Sequence, residues 1–423
     1  MIAASGFVVA SALSAASEWL FGTSVSAVSD VKLYFDYANL ILQGRIPYRD
    51  FFTEYPPGSI AFLVGPRLAS ASLAGYAALF ALQMLLVESA AVFLAGRAVR
   101  RECGDIEARN RLVWYSFCVG ALSPFAFTHY DMVPATVAFC ATIAWREGRG
   151  VIGGGLAAVG SAIKLFPGLC ALPYVFVRLR NRKRSSSDIL AFLVACLAWV
   201  GTWYVLAPNG VRYLLRYHAE RGLEIESLYA GLLMAVGKVL GSKGMAFSYD
   251  HGSFQLVMAG CAKVAGVTFP LQVVVIVSIL WLFRKSDMGD EVRYVTALIL
   301  AFIICGKVLS PQYLIWLIPF AASLRHGRWR QIRVAFACSC ILTTVVYPFA
   351  FPALLSMRLW AAPRRERPEC PAGLDSRGLG SRPASVARFS LRRVGQHTVD
   401  RVHPRGSGRF RGDPDLRVQP RIG

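Results

Sequence analysis

Acidic and phenolic side chains crowd one short stretch directly after the first apolar segment: Asp30, Tyr34, Asp36 and Tyr37, then Tyr48, Arg49, Asp50, Glu54 and Tyr55. Ionisable groups kept close to lipid are costly, which makes this stretch the first candidate for chemistry. Asp30 and Asp36 lie six residues apart and point to separate helix faces, so they do not form a carboxylate pair. Asp50 and Glu54 have i,i+4 spacing, but Tyr55, Pro56 and Pro57 end any helix there. A two-carboxylate glycosidase arrangement is therefore not supported. One carboxylate suits a different reaction, in which a sugar leaves from a phosphate. The departing anion needs no protonating acid, and a single base takes the proton of the incoming hydroxyl, worth roughly 100- to 10,000-fold. Asp30 is the candidate base.

Such a reaction also needs cations or donors to hold the departing phosphate. Lys164 and Lys307 share a pattern, each standing between two short apolar segments just before a proline, Pro167 and Pro311. Arg221 is followed by Glu224, Glu226 and Ser227, which mixes donors with acceptors. These residues have plainer readings too: lysines that snorkel to the interface, and a solvated loop face for the arginine. His129, Tyr130 and Asp131 form a compact polar turn before Met132, either part of a site or an interfacial turn with an aromatic anchor. Gln312 and Tyr313 can aim an amide and a phenol into the same cavity, where Glu54, Tyr55 and Asp131 would shape a sugar pocket.

The scaffold that positions these groups is legible in composition. The chain has 423 residues, of which 55% are hydrophobic and 17% charged, against roughly 25% charged in soluble domains. Apolar runs recur near 3–22, 75–97, 112–127, 132–146, 151–163, 166–179, 188–207, 268–284, 291–305, 312–324 and 332–350. The expected fold is all-α, a polytopic transmembrane helical bundle of about 10–12 membrane segments. Residues 30–42 are expected as an amphipathic helix on the outer face, with Leu33, Tyr37, Leu40 and Ile41 lying in the interface. Arginine-rich connectors (97–101, 146–149, 178–184, 284–285, 325–333) fall on alternate sides of successive spans. Placing them in the cytoplasm puts the N-terminus inside and the acidic and aromatic features outside. The predicted location is the plasma membrane, crossed several times.

The net charge of +21 does not imply nucleic acid, because it sits in those connectors and in a tail. The cysteines lie mostly within apolar segments with no zinc or redox spacing, and neither metal nor cofactor is expected. The chain divides into a transmembrane domain at 1–356 and a basic tail at 357–423. That tail is rich in arginine, holds no lysine and has no periodicity. It is expected to be a disordered tail or an out-of-frame translation of a GC-rich gene, the second favoured by arginine without lysine, and no function is assigned to it. The bare start points to a few cytoplasmic residues missing ahead of Met1.

At these residues the chain resembles a known group. The motifs are Asp30-x-x-x-Tyr34, Pro47-Tyr48-Arg49-Asp50-Phe51, Glu54-Tyr55-Pro56-Pro57, Tyr130-Asp131-x-x-Pro134-Ala135, Lys164-Leu-Phe-Pro167, Arg221-x-Leu-x-Ile-Glu226-Ser227 and Leu309-Ser-Pro-Gln-Tyr313-x-x-Trp316. In order and placement they resemble bacterial membrane glycosyltransferases of family 87, the polyprenol-phosphate-mannose-dependent alpha-1,2-mannosyltransferases and their relatives. The resemblance implies a GT-C fold and an inverting, metal-independent transfer of a hexose, mannose first. The donor would be a lipid-linked polyprenyl-phosphate sugar and the acceptor a glycolipid or polysaccharide. It maps the catalytic aspartate onto Asp30. Characterised members carry histidine in the region of Gln312 and Tyr313, a departure that leaves the sugar open. A transporter or lipid-carrier flippase, and an O-antigen polymerase or ligase, are the alternatives.

Overall fold

Asp30 stands at the N-cap of α1 (Val31–Leu42), which buries Val31, Tyr34 and Ala38. That is a different face from the expected Leu33, Tyr37, Leu40 and Ile41, all of which stay only partly buried. The reason is aromatic packing: the Tyr34 ring lies 5.3 Å from Phe80 and 5.8 Å from Tyr130, and such contacts turn the helix toward protein. The computed structural model describes residues 29–180, 187–242, 244–283, 291–325 and 327–355. The expected span near 3–22 and the basic tail lie outside these residues.

A 3-10 turn (Pro57–Ser59) leads into α2 (Ile60–Ala69) and then α3 (Leu73–Ala121). Ser72 Oγ caps the start of α3 by accepting from the Gly75 N–H at 3.1 Å. Gly104 interrupts α3 with φ 77 and ψ 174, a left-handed conformation that glycine adopts without cost. The two arms fold back on each other, since the Tyr115 hydroxyl donates to Glu88 at 3.2 Å. The two arms overlap the spans expected near 75–97 and 112–127, the second arm ending at Ala121.

After the short α4 (Ser123–Ala126) come α5 (Met132–Arg146) and α6 (Gly150–Ile163), a 3-10 turn (Phe166–Cys170) and α7 (Ala171–Arg180). Small residues let α6 approach its neighbours closely. A Cβ at Gly153 would lie 2.7 Å from the Trp145 ring, and one at Gly160 2.7 Å from Pro167. Gly58 closes the same interface, because a Cβ there would lie 2.6 Å from the Ala162 carbonyl carbon. The Pro-Pro-Gly turn thereby anchors the polar loop to the end of α6.

The chain continues through α8 (Ser187–Leu206), α9 (Pro208–Glu220) and α10 (Leu228–Val239). The stretch between the apolar runs expected near 188–207 and 268–284 then contains an antiparallel hairpin, β1 (Ala246–Asp250) with β2 (Ser253–Val257), Asp250 opposite Ser253. Its two-residue turn has positive φ at both His251 (50) and Gly252 (72), the requirement of a type I′ hairpin. Next are α11 (Cys261–Phe283), which starts ahead of the expected 268, and α12 (Glu291–Ile304). A 3-10 turn (Pro311–Leu317), α13 (Ile318–Ser323), α14 (Trp329–Thr344), a π turn (Val345–Ala350) and α15 (Phe351–Leu355) complete the described chain. Among the described residues the regular structure is helical apart from one hairpin, as expected. Among the described residues α3, α8 and α11 are long and apolar enough to cross a membrane.

Candidate active site

Asp30 is held by one oxygen. Its Oδ2 accepts from the Tyr55 hydroxyl at 2.9 Å and from the Tyr34 hydroxyl at 3.3 Å, with His129 Nε2 at 3.5 Å. Its Oδ1 makes no hydrogen bond among the described residues, and the side chain is 33% exposed. Tyr34 arrives one turn along α1, whereas Tyr55 returns through the polar loop. Two further phenols fix that return. Tyr48 donates to the Tyr55 carbonyl, and Tyr37 donates to Glu54 Oε2 at 2.9 Å. The rings of Tyr34, Tyr55 and Tyr130 pack at 5.4 to 5.8 Å around the carboxylate. The Tyr130 hydroxyl is buried with no hydrogen-bond partner among the described residues.

His129 has a defined tautomer by hydrogen-bond logic. The Thr128 hydroxyl donates to the Pro124 carbonyl at 2.5 Å, so its oxygen is left to accept from His129 Nδ1 at 3.0 Å. Nδ1 therefore carries a proton, and Nε2, facing Asp30, is the nitrogen that can exchange one. Glu54 sits beside this group. Burial pushes its carboxyl above the usual range and the charge of Asp30 adds to the shift, against the Tyr37 hydrogen bond. Asp30 and Glu54 are thus two acids in different surroundings, one with a bare oxygen and one tied to a phenol.

Asp131, at the N-cap of α5, organises the adjoining wall. Its Oδ1 accepts from Lys164 Nζ at 2.6 Å and from Trp316 Nε1 at 2.5 Å. Trp316 is sandwiched between Phe166 and Tyr313, each with ring centroids 4.1 Å away. The Lys164 ammonium lies 5.1 to 5.4 Å from the rings of Tyr130, Trp316 and Tyr313. Lys164, expected as a phosphate holder, here has its charge paired with Asp131 inside an aromatic cage.

Arg221, Glu226, Ser227 and Lys307 gather where α9 meets α10. Arg221 Nη2 donates to Glu224 at 3.1 Å and to Ser253 Oγ at 2.9 Å. Lys307 Nζ donates to the Ala219 carbonyl at 2.7 Å, on the last turn of α9. Burial, and then the neighbouring Arg221, hold the Lys307 ammonium below its ordinary value. Ser227 Oγ caps α10 by accepting from the Ala230 N–H at 3.2 Å. Tyr347 donates to Glu226. Burial, followed by the Glu224 charge, pushes Glu226 up to about 8. Arg221 Nε, Glu224 Oε2 and Glu226 Oε2 are buried without a hydrogen-bond partner among the described residues.

Asp50 stands apart from both groups. It takes a bidentate bond from Arg49 at 2.9 Å and the Ile46 N–H at 2.7 Å, and Arg49 first, then that N–H, lowers its carboxyl to about 2. Gln312 is partly exposed on the Pro311–Leu317 turn. The structure thus joins Asp30, Tyr34, Glu54 and Tyr55, and beside them Asp131, Lys164 and Tyr313. Sequence reasoning did not select His129, Tyr37 or Tyr130 as site residues, although the His129 turn was visible. Trp316 was visible only as a motif residue. Among the described residues no three His, Cys, Asp or Glu side chains are grouped to hold a metal ion.

The signature of glycosyltransferase family 87 matches residues 52–311, with Asp30 ahead of the matched stretch. The chain is also similar to the apo crystal structure of ArnT from Cupriavidus metallidurans, with 15% sequence identity and a TM-score of 0.42. That likeness covers 78% of this chain and 57% of the other, so this chain spans less than two thirds of the other's length. No curated protein matches the chain.

Proposed function

Because this chain belongs to glycosyltransferase family 87, we propose that it is an integral membrane glycosyltransferase with Asp30 as its general base. The observation that carries this reading is the asymmetry of Asp30. Oδ2 is fixed by Tyr34 and Tyr55 while Oδ1 stays uncommitted among the described residues and the side chain partly exposed. A base needs that combination of orientation and access.

The donor is a hexose, mannose first, on a polyprenyl phosphate. The acceptor is a hydroxyl of a glycolipid or polysaccharide on the extracytoplasmic face of the plasma membrane. The acceptor oxygen attacks the anomeric carbon, the bond from that carbon to the phosphate oxygen breaks, and the configuration inverts. The hydroxyl proton passes to Asp30 Oδ1, and the phosphate leaves with the bonding electron pair. Arg221 and Lys307 face the phosphate, while Glu54, Tyr55 and Tyr130 contact the sugar. Lys164 and Asp131 hold the wall behind it. His129 stands behind Asp30, where Nε2, unprotonated in the tautomer that Thr128 sets, receives the proton after transfer. A lipid-linked donor fits a face of the membrane that lacks nucleotide sugars.

The test is transfer by the purified protein in liposomes, supplied with polyprenyl-phosphate mannose and the host's glycolipids. A product heavier by one hexose, absent with a nucleotide sugar alone, is the expected result. Counterflow of the donor with no covalent product would replace this reading with a transporter.

A further inference from the structure

The bend of α3 carries a cavity unrelated to Asp30. It has a volume of about 490 Å³ and is lined by Gly96, Arg100, Asp105, Ile106, Arg109 and Leu112. Phe80 packs on Tyr34 beside Asp30 at 5.3 Å, and the bend at Gly104 lies 24 residues further along the same helical arm. At 1.5 Å per residue that is about 36 Å, one hydrocarbon thickness of about 30 Å with a margin. The cavity thus sits at the opposite membrane face, the one with the arginine-rich connectors.

Its walls have two characters. At the bend, the lining residues Arg100 and Arg109 are exposed, as is Arg97 next to Gly96. Arg100 pairs with Asp105 at 2.7 Å, and both side chains remain more than two-thirds exposed. Arg97 lies over the Phe93 ring at 5.7 Å, and Arg109 makes no hydrogen bond or ion pair among the described residues. Toward the membrane the walls are apolar. Ile106 and Val113 are exposed, and Gly96 opens the notch between the arms, since a Cβ there would lie 3.0 Å from Leu112 Cδ1. Of the charges that line the notch, Arg100 and Arg109 stand against Asp105, so its head keeps one excess positive charge while its flank is open to acyl chains.

We infer that this notch is a binding site for one anionic phospholipid of the cytoplasmic leaflet. Its phosphate would lie between Arg100 and Arg109, and an acyl chain along Gly96, Leu112 and Val113. Basic pockets between membrane helices take such headgroups, because each arginine gains Coulomb energy at a negatively charged leaflet. A zwitterionic lipid lacks the net charge, and a soluble phosphate lacks the chains that the apolar flank would cover.

Native mass spectrometry of the full chain, exchanged with phosphatidylglycerol or phosphatidylcholine, tests the inference. The expected result is preferential retention of phosphatidylglycerol, reduced on the order of tenfold in the Arg100→Gln/Arg109→Gln double variant. Gly96→Leu, which fills the notch without touching charge, should lower retention as well. Thermal unfolding in phosphatidylcholine alone shows whether each variant is folded, and phosphatidylglycerol should raise the midpoint only where the notch is intact. Equal retention of the two lipids, equal retention by folded variants, or displacement by the same concentration of soluble glycerophosphate would overturn it.

Discussion

Trp316 donates its indole N–H to Asp131 across 185 residues of chain, at 2.5 Å. The same carboxylate oxygen accepts Lys164 at 2.6 Å, and the two charged side chains are 1% and 17% exposed. Removing one partner of a buried pair leaves the other charge uncompensated, at a cost of about 3–5 kcal/mol. Lys164→Met should therefore lower the unfolding midpoint markedly, and Asp131→Asn should do the same. If Lys164 instead served only to hold donor phosphate, Lys164→Met would raise KM for the donor and leave the unfolding midpoint where it was.

Asp30→Asn keeps an oxygen for Tyr55 and Tyr34 but removes the basic site. The expected effect is a kcat lower by roughly 100- to 10,000-fold with the unfolding midpoint little changed. Steady-state transfer rates and a melting curve on the same preparation check both halves. Activity near that of the unaltered protein would reassign the base, with Glu54 the next residue to change.

The order of the helices and the polar loop were readable because both are local signals: apolar runs, alternating basic connectors, and acids next to tyrosines. The face of α1 was not. Leu33, Tyr37, Leu40 and Ile41 make a plausible lipid-facing stripe, but Tyr34 finds Phe80 and Tyr130 only in three dimensions. The β1–β2 hairpin left a faint trace in His251 and Gly252, too short to outweigh the helical context. Trp316 could be seen in its motif, yet its bond to Asp131 depends on the whole bundle closing. Asp50 and Glu54 look equivalent in sequence. Their environments separate them, one paired with Arg49 at the rim and the other buried beside Tyr37.

His129 offers a kinetic signature that packing alone would not produce. With Nδ1 committed to Thr128, proton exchange at Nε2 faces Asp30, with Glu54, Asp131 and Lys164 as the other charged groups around the cage. His129→Gln removes that exchange while preserving a similar volume. It should lower kcat on the order of tenfold and leave KM for the donor near its original value. Equal kcat values for the two folded proteins would reduce His129 to a packing residue.

Glu226 sets a pH limit on the α9–α10 junction. Its folded pKa of about 8 lies above the usual carboxylate value because of burial and then Glu224, so the folded state favours the protonated form. The sign follows from linkage: the folded state binds the proton more tightly than the unfolded chain does. The associated stability is therefore complete below the unfolded carboxylate pKa, near 4.5, and is lost as pH rises toward about 8. Glu226→Gln keeps an acceptor for Tyr347 and cannot ionise. Between pH 6 and 9 the unaltered protein should lose thermal stability relative to this variant, with the gap widening up to about pH 8 and constant above it. Midpoints measured in parallel across that range check the prediction, and a gap that stays constant from pH 6 to 8 would show that Glu226 ionises at an ordinary carboxylate value.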